Sequence, residues 1–211
     1  DRPAPTSGSG AGPRPGSRPC ARDRRRREDL GVHRVLLVVG STAVALTVLV
    51  AGWCWLGPES PGFAFLVVWV PMTWLGTVSR VLQPRLPDGY HRLRPFERDG
   101  RVYERLGVRA VKRLLRRGPL AAFNPDLHLP PDRSPEHLAH LERRMCDAEA
   151  SHALLFVATL AVVVHAVLQG WWTAAALTLL FDVLMNGGPV MLQRYNRALL
   201  HRRYGPMLGA P

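Results

Sequence analysis

The chain has 211 residues, with 28 basic and 16 acidic side chains and a formal net charge of +12. Its hydrophobic share of 47% is ordinary, but the apolar residues are gathered into long uncharged runs, which excludes a plain water-soluble domain. Cys20, Cys54 and Cys146 form no spaced pair, so neither a disulfide framework nor a paired-cysteine zinc site is indicated.

Residues 1–33 form a basic tail rich in Pro, Gly, Ser and Arg. Asp1–Leu30 carries too little apolar surface to offset the entropy of ordering, so the tail is expected to be disordered. The run Arg24–Arg27 lies just before an apolar span. A topology anchor that also touches anionic lipid accounts for it better than nucleic-acid binding.

A bilayer core of ~30 Å needs about 20 apolar residues in a helix. Four segments qualify: Val35–Leu56, Phe63–Leu82, Ser151–Leu168 and Trp171–Leu192, the last containing Asp182. Only Gly57–Gly62 separates the first two, and Gln169-Gly170 the last two. Two transmembrane hairpins are therefore expected, over 34–82 and 150–193. Span one is too long for a signal-peptide core, and no small-residue cleavage site follows it.

Nine arginines precede residue 35, Arg80 ends span two, fourteen basic residues fall in 83–149 and four in 194–203. The two short connections have none. Basic residues are retained on the cytosolic side, which predicts a multi-pass protein of the cell membrane with both termini cytosolic. Trp53, Trp55, Trp171 and Trp172 fall where the opposite interface would be.

Between the hairpins lies a polar cytosolic region, 83–149. Within it Val102–Arg117 reads as a basic amphipathic helix able to lie in the headgroup plane, with Val102, Leu106, Val111, Leu114 and Leu115 on its apolar face. A loop around Asn124-Pro125 follows. Ser134-Pro135-Glu136 can start a helix over His137–Ala150 that continues into span three. A cytosolic tail, 194–211, closes the chain. The predicted fold class is thus an all-α integral membrane protein of four transmembrane helices, with a cytosolic loop carrying a basic amphipathic helix.

Polar groups at membrane depth are costly and mark candidate sites. In span four, Asp182, Asn186, Pro189 and Gln193 recur at helical spacing on one face. Gly187-Gly188-Pro189 predicts an interruption there, since proline removes a backbone donor. The span leaves the membrane through Gln193-Arg194-Tyr195-Asn196-Arg197. Where span three enters, Glu149 and His152 are three apart on one face. A carboxylate beside an imidazole suits general acid–base work; the competing reading of Glu149 is a salt bridge to a nearby arginine. A di-iron site would need a second Glu-x-x-His, which the chain lacks, so no metal is expected. Walker, Rossmann and nucleophile-elbow patterns are absent.

Two stretches carry a resemblance to a known family. One is Phe96-Glu97-Arg98-Asp99-Gly100-Arg101-Val102-Tyr103 with Val108-Arg109 and Lys112. The other is Ala148-Glu149-Ala150-Ser151-His152, Asn186 to Pro189 and Gln193-Arg194-Tyr195-Asn196-Arg197. Over roughly 85–203 the chain resembles the glycosyl-4,4'-diaponeurosporenoate acyltransferase family of staphyloxanthin-type carotenoid biosynthesis. The resemblance implies transfer of a fatty acyl group from a thioester donor, an acyl-CoA or acyl-carrier protein, to a sugar hydroxyl of a carotenoid glycoside or similar glycolipid. No further cofactor and no nucleic acid is implied; the partners are the lipid bilayer, the lipophilic glycosylated acceptor and the donor.

On that chemistry His152 is the candidate general base and Glu149 its orienting partner. Arg194, Asn196 and Asn186 are candidate oxyanion donors. Arg98, Arg101, Arg105 and Arg109 are candidates for the donor's phosphates. Gln193, Tyr195, Arg197 and Asp182 are further candidates for substrate binding, Asp182 alternatively capping the bundle interior. A non-enzymatic membrane scaffold is the main alternative. A small transporter is disfavoured by the few polar groups in the outer half of the bundle.

Overall fold

A computed structural model describes residues 21–82, 84–116 and 133–208. Residues 1–20 of the expected tail, and the expected loop at Asn124-Pro125, lie outside that range. The described residues are helical, without strands: α1 (Ala21–Leu56), α2 (Pro61–Leu82), α3 (Asp88–His91), a 3₁₀ turn (Pro95–Glu97), α4 (Arg101–Arg105), α5 (Val108–Arg116), α6 (Pro135–Leu168), α7 (Trp172–Asp182), a π-helical turn (Val183–Gly187), α8 (Gly188–Tyr204) and a final 3₁₀ turn (Gly205–Met207). Four helical stretches are long and apolar enough to cross a membrane: Gly31–Leu56, Pro61–Ser79, Pro135–Leu168 and Trp172–Met207.

The chain divides into two compact units, Asp1–Leu37 and Val38–Pro211. In the first, α1 is already helical at Ala21, so Ala21–His33 is not the disordered segment expected from composition. Arginine is a good helix former, and extending a helix that the apolar span has nucleated costs far less than starting one.

In the second unit, local sequence sets the ends of the helices. Ser60 accepts a hydrogen bond at 3.1 Å from the Phe63 N–H, and Pro61 opens α2 where a missing donor does no harm. Gly170, at φ 77°, ends α6 in the left-handed conformation, and the Trp171 N–H turns back to the Ala166 carbonyl at 2.9 Å. The α6 helix is 34 residues long, about 51 Å at 1.5 Å per residue. That length exceeds a ~30 Å hydrocarbon core, so the polar half from Pro135 to about Ala150 overhangs an apolar half.

The bundle is built on α2, α6, α7 and α8: α7 packs on α2 and α6, and α6 also packs on α8. Small side chains make the close approaches, with Ala64 on α2 and Ala174 and Ala175 on α7 all buried. Between α1 and α2, Gly52 lies so close to Leu66 that a Cβ there would stand 2.7 Å from Leu66 Cδ1. Trp74 Nε1 donates to Thr42 Oγ1 at 2.9 Å across the same pair. Much of α1 presents apolar side chains outward, as does the far side of α6. Lipid is the solvent such surfaces require.

The expected single helix Val102–Arg117 is instead two short helices. Gly107 adopts φ 80°, a left-handed conformation that ends α4 and redirects the chain into α5. Its apolar face does not stay together either. Tyr103 and Val108 are buried against Leu192 and Tyr195 of α8, with Val102 beside them, while Leu106 and Val111 are exposed. The segment is thereby docked on α8. Arg117 lies outside the described residues.

Gly100 is a second left-handed residue, at φ 75°, and a Cβ on it would meet the Tyr195 ring at 3.1 Å. Gly100→Ala should therefore destabilise the protein by at least about 1–2 kcal/mol, from backbone strain alone. A lowered midpoint of thermal unfolding in detergent checks this; an unchanged midpoint would mean that α4 is not held on α8 through this turn.

Candidate active site

The α6 helix runs antiparallel to the π-helical turn and α8, and polar side chains meet across this pairing in three successive rungs. At the outer rung, His201 Nε2 lies 2.5 Å from Glu142 Oε1. At the middle rung, Glu149 is fully buried. Its Oε1 accepts from Arg194 Nη1 at 2.7 Å and its Oε2 from Arg197 Nη1 at 2.9 Å. At the inner rung, His152 Nδ1 lies 3.1 Å from Asn186 Oδ1.

Arg194 also ties in the segment before α4. Its Nε and Nη2 each donate to Glu97 at 3.0 Å, and its Nη1 donates to the Tyr90 carbonyl at 3.2 Å. Glu97 accepts as well from the Tyr103 hydroxyl and from the Arg94 N–H, the latter at 2.7 Å. Arg197 Nη2 donates to the His91 carbonyl at 2.6 Å. Two carboxylates and two guanidiniums thus form a neutral buried network, the condition under which buried charge is tolerated. Burial pushes the Glu97 carboxyl up, but the hydrogen bonds from Arg194, Tyr103 and the Arg94 backbone outweigh it and hold the group at about 2. The Tyr103 hydroxyl is pushed up by burial and by its bond to Glu97.

The inner rung has its own logic. Asn186 Nδ2 donates to Asp182 Oδ1 at 2.7 Å, one turn back on the same helical face. A carboxylate accepts, so the asparagine amide must face Asp182 with its NH₂ and His152 with its oxygen. The oxygen in turn requires a proton on His152 Nδ1, which leaves Nε2 with a free lone pair. Asn186 and Asp182 are fully buried and His152 is partly exposed. The π-helical turn Val183–Gly187 sits here because Pro189 has no N–H to give the Met185 carbonyl. The interruption expected at Gly187-Gly188-Pro189 accordingly falls just ahead of the proline.

Several expected roles change on this geometry. Glu149 does not orient His152, because its two oxygens are taken by Arg194 and Arg197. Asn186 holds the ring instead, which removes it from the candidate oxyanion donors. Arg194 is bound to Glu97, Glu149 and the Tyr90 carbonyl. Asn196 Oδ1 accepts from Lys112 Nζ at 2.6 Å and is directed at α5 rather than at His152. Tyr195 is buried, its hydroxyl donating to Glu104 at 3.1 Å, and Gln193 is partly buried. Among the expected phosphate ligands, Arg101 pairs with Asp99 at 3.5 Å and Arg109 with Glu104 at 2.7 Å, while Arg98 and Arg105 are exposed.

Sequence reading did not single out Glu97, Tyr103, Tyr90 or His91. The run Phe96–Tyr103 held two of them, but nothing in its spacing shows that α8 arginines close on it. Among the described residues no three His, Cys, Asp or Glu side chains converge as a metal site would require.

The bundle thus carries a polar seam along α6 that ends, at its inner rung, in a histidine held by an amide. Residues 87–205 match the family model described as glycosyl-4,4'-diaponeurosporenoate acyltransferase. The match covers more than half of the chain, and the protein belongs to that family of acyltransferases. No curated protein and no solved structure matches it.

Two outcomes follow from the buried network. Glu149→Gln leaves two buried guanidiniums without their shared carboxylate and should cost about 3–5 kcal/mol of stability; a thermal midpoint within a degree of the parent would contradict the network. Glu97, with its folded value depressed to about 2, contributes stability that is complete above its unfolded value near 4.5 and is lost as pH falls through about 2. The difference in unfolding midpoint between the parent and Glu97→Gln should therefore shrink steadily from pH 4.5 toward pH 2. A difference that is constant across that window would exclude the ion pair.

Proposed function

We propose that the protein moves a fatty acyl group from a thioester donor to a sugar hydroxyl of a carotenoid glycoside or similar glycolipid, at the cytosolic face of the cell membrane. Family membership supports the acyl chemistry. The observation that carries the site is the His152–Asn186–Asp182 chain, which leaves one imidazole nitrogen as a free base at the boundary between the polar and apolar halves of α6.

Nε2 of His152 takes the proton of the sugar hydroxyl as the oxygen attacks the thioester carbonyl. The tetrahedral intermediate collapses with cleavage of the C–S bond, and the imidazolium returns its proton to the departing thiolate. The products are an ester and a free thiol, with no net change at the enzyme. Asn186 is a positioning residue that fixes the ring and its tautomer, and Asp182 fixes the asparagine. Glu149, Arg194 and Arg197 hold α6 and α8 at the spacing that brings His152 to Asn186.

The placement suits an amphiphilic acceptor. Its polyene or acyl body lies against the outward apolar surfaces of the bundle, and its sugar reaches the polar seam. The cytosolic orientation of that seam rests on the basic residues flanking the spans and their absence from the two short connections.

Membranes carrying His152→Ala, supplied with a labelled acyl thioester and a glycosylated carotenoid acid, should transfer acyl groups about 10²–10⁴ times more slowly than the parent, with an unchanged unfolding midpoint. Asn186→Ala should lie between the two. Full transfer by His152→Ala would remove the base from the mechanism.

A further inference from the structure

A cleft of about 1480 Å³ opens beside the buried network. Arg85, Arg92, Arg98, Arg143 and Arg202 line it, against two carboxylates, the exposed Asp147 and the half-buried Glu142, the latter already held by His201. Arg197, which holds Glu149, also reaches it, as does Cys146 on α6. Among the described residues Arg92, Arg98 and Arg143 make no ion pair or side-chain hydrogen bond, and Asp147 makes no ion pair. Arg202 has only a long contact, 3.4 Å, to the Asp99 carbonyl. Guanidiniums brought together from the segment before α4, from α6 and from α8 repel one another unless an anion lies between them, and their planar donor pairs match phosphate oxygens.

We propose that this cleft holds the phosphates of the acyl donor, and that the donor is a coenzyme A thioester. The proposal rests on the acyl-transfer reading and deepens it. Size favours a nucleotide over a lone phosphate, since sites for ligands of that class have volumes of about 300–1,000 Å³. The number of arginines favours coenzyme A, with its pyrophosphate and ribose phosphate, over a carrier protein that presents a single phosphodiester. Position gives the direction of the acyl arm. Cys146 at the cleft and His152 at the inner rung are six residues apart on α6, about 9 Å along the helix, a span that a pantetheine arm covers. Of the arginines expected from sequence to bind phosphate, only Arg98 belongs to this set. Arg101, Arg105 and Arg109 lie outside the cleft.

The test is titration of the purified full chain, in nanodiscs of zwitterionic lipid, with coenzyme A. The double substitution Arg92→Ala with Arg143→Ala should weaken binding by at least about tenfold, since each removes charge-assisted hydrogen bonds. Arg113→Ala, outside the cleft, should not, and thermal unfolding checks that each variant is folded. Dephospho-coenzyme A should bind the parent less tightly than coenzyme A. Unweakened binding of coenzyme A by the folded double variant would overturn the proposal. So would binding only of a phosphopantetheinylated carrier protein, or an effect of the double substitution seen only with anionic lipid in the disc. His152→Ala should bind coenzyme A like the parent, so a failure of the base mechanism and a failure of the cleft are read separately.

Discussion

A single carboxylate with no solvent access governs this protein. Glu149 lies between Arg194 and Arg197, and Arg194 hands the charge on to Glu97. An isolated ion in that position would be far too costly. Four ions that neutralise and hydrogen-bond one another are tolerated, and they permit essentially one arrangement of the elements that carry them. The antiparallel register of α6 on α8 and the docking of the Phe96–Tyr103 segment follow from that requirement. The apolar contacts of Tyr103, Val108, Leu192 and Tyr195 then fill the space it leaves.

The network and the proposed reaction centre are neighbours with different tasks. Glu149 and His152 are one turn apart on α6, yet the carboxylate serves structure and an amide serves the ring. An amide fixes the orientation and tautomer of an imidazole without adding a charge beside it. On the proposed mechanism, the charge that stabilises the fold is thereby kept out of the chemistry, and the base keeps its lone pair for the acceptor.

The apolar spans were legible in the sequence because each is a long uncharged run whose length the bilayer dictates. The continuation of the Ser134 helix into span three was legible too, since nothing between Pro135 and Leu168 breaks it. The partner of Glu149 was legible only as one of two readings. Residue spacing places Glu149 and His152 on one face of a helix, but which side chain on another helix closes on each depends on a register that no local pattern encodes. The helix expected over Val102–Arg117 failed for a local reason, Gly107 at positive φ, that its amphipathic spacing hid. The contribution of Glu97 was hidden because a lone glutamate in a basic loop reads as solvated until α8 is laid over it.

The π-helical turn at Val183–Gly187 has a consequence for the whole second half of the seam. Such a turn behaves as one surplus residue in an α-helix, and a surplus residue rotates everything beyond it by ~100°. Asn186 lies within the turn, and Arg194, Arg197 and His201 lie beyond it. Their alignment with α6 is therefore phase-locked to that extra residue. Excising one position there would leave the chemical inventory intact yet swing the arginines and His201 away from their carboxylates together, so the helix behaves as a key whose teeth share one cut.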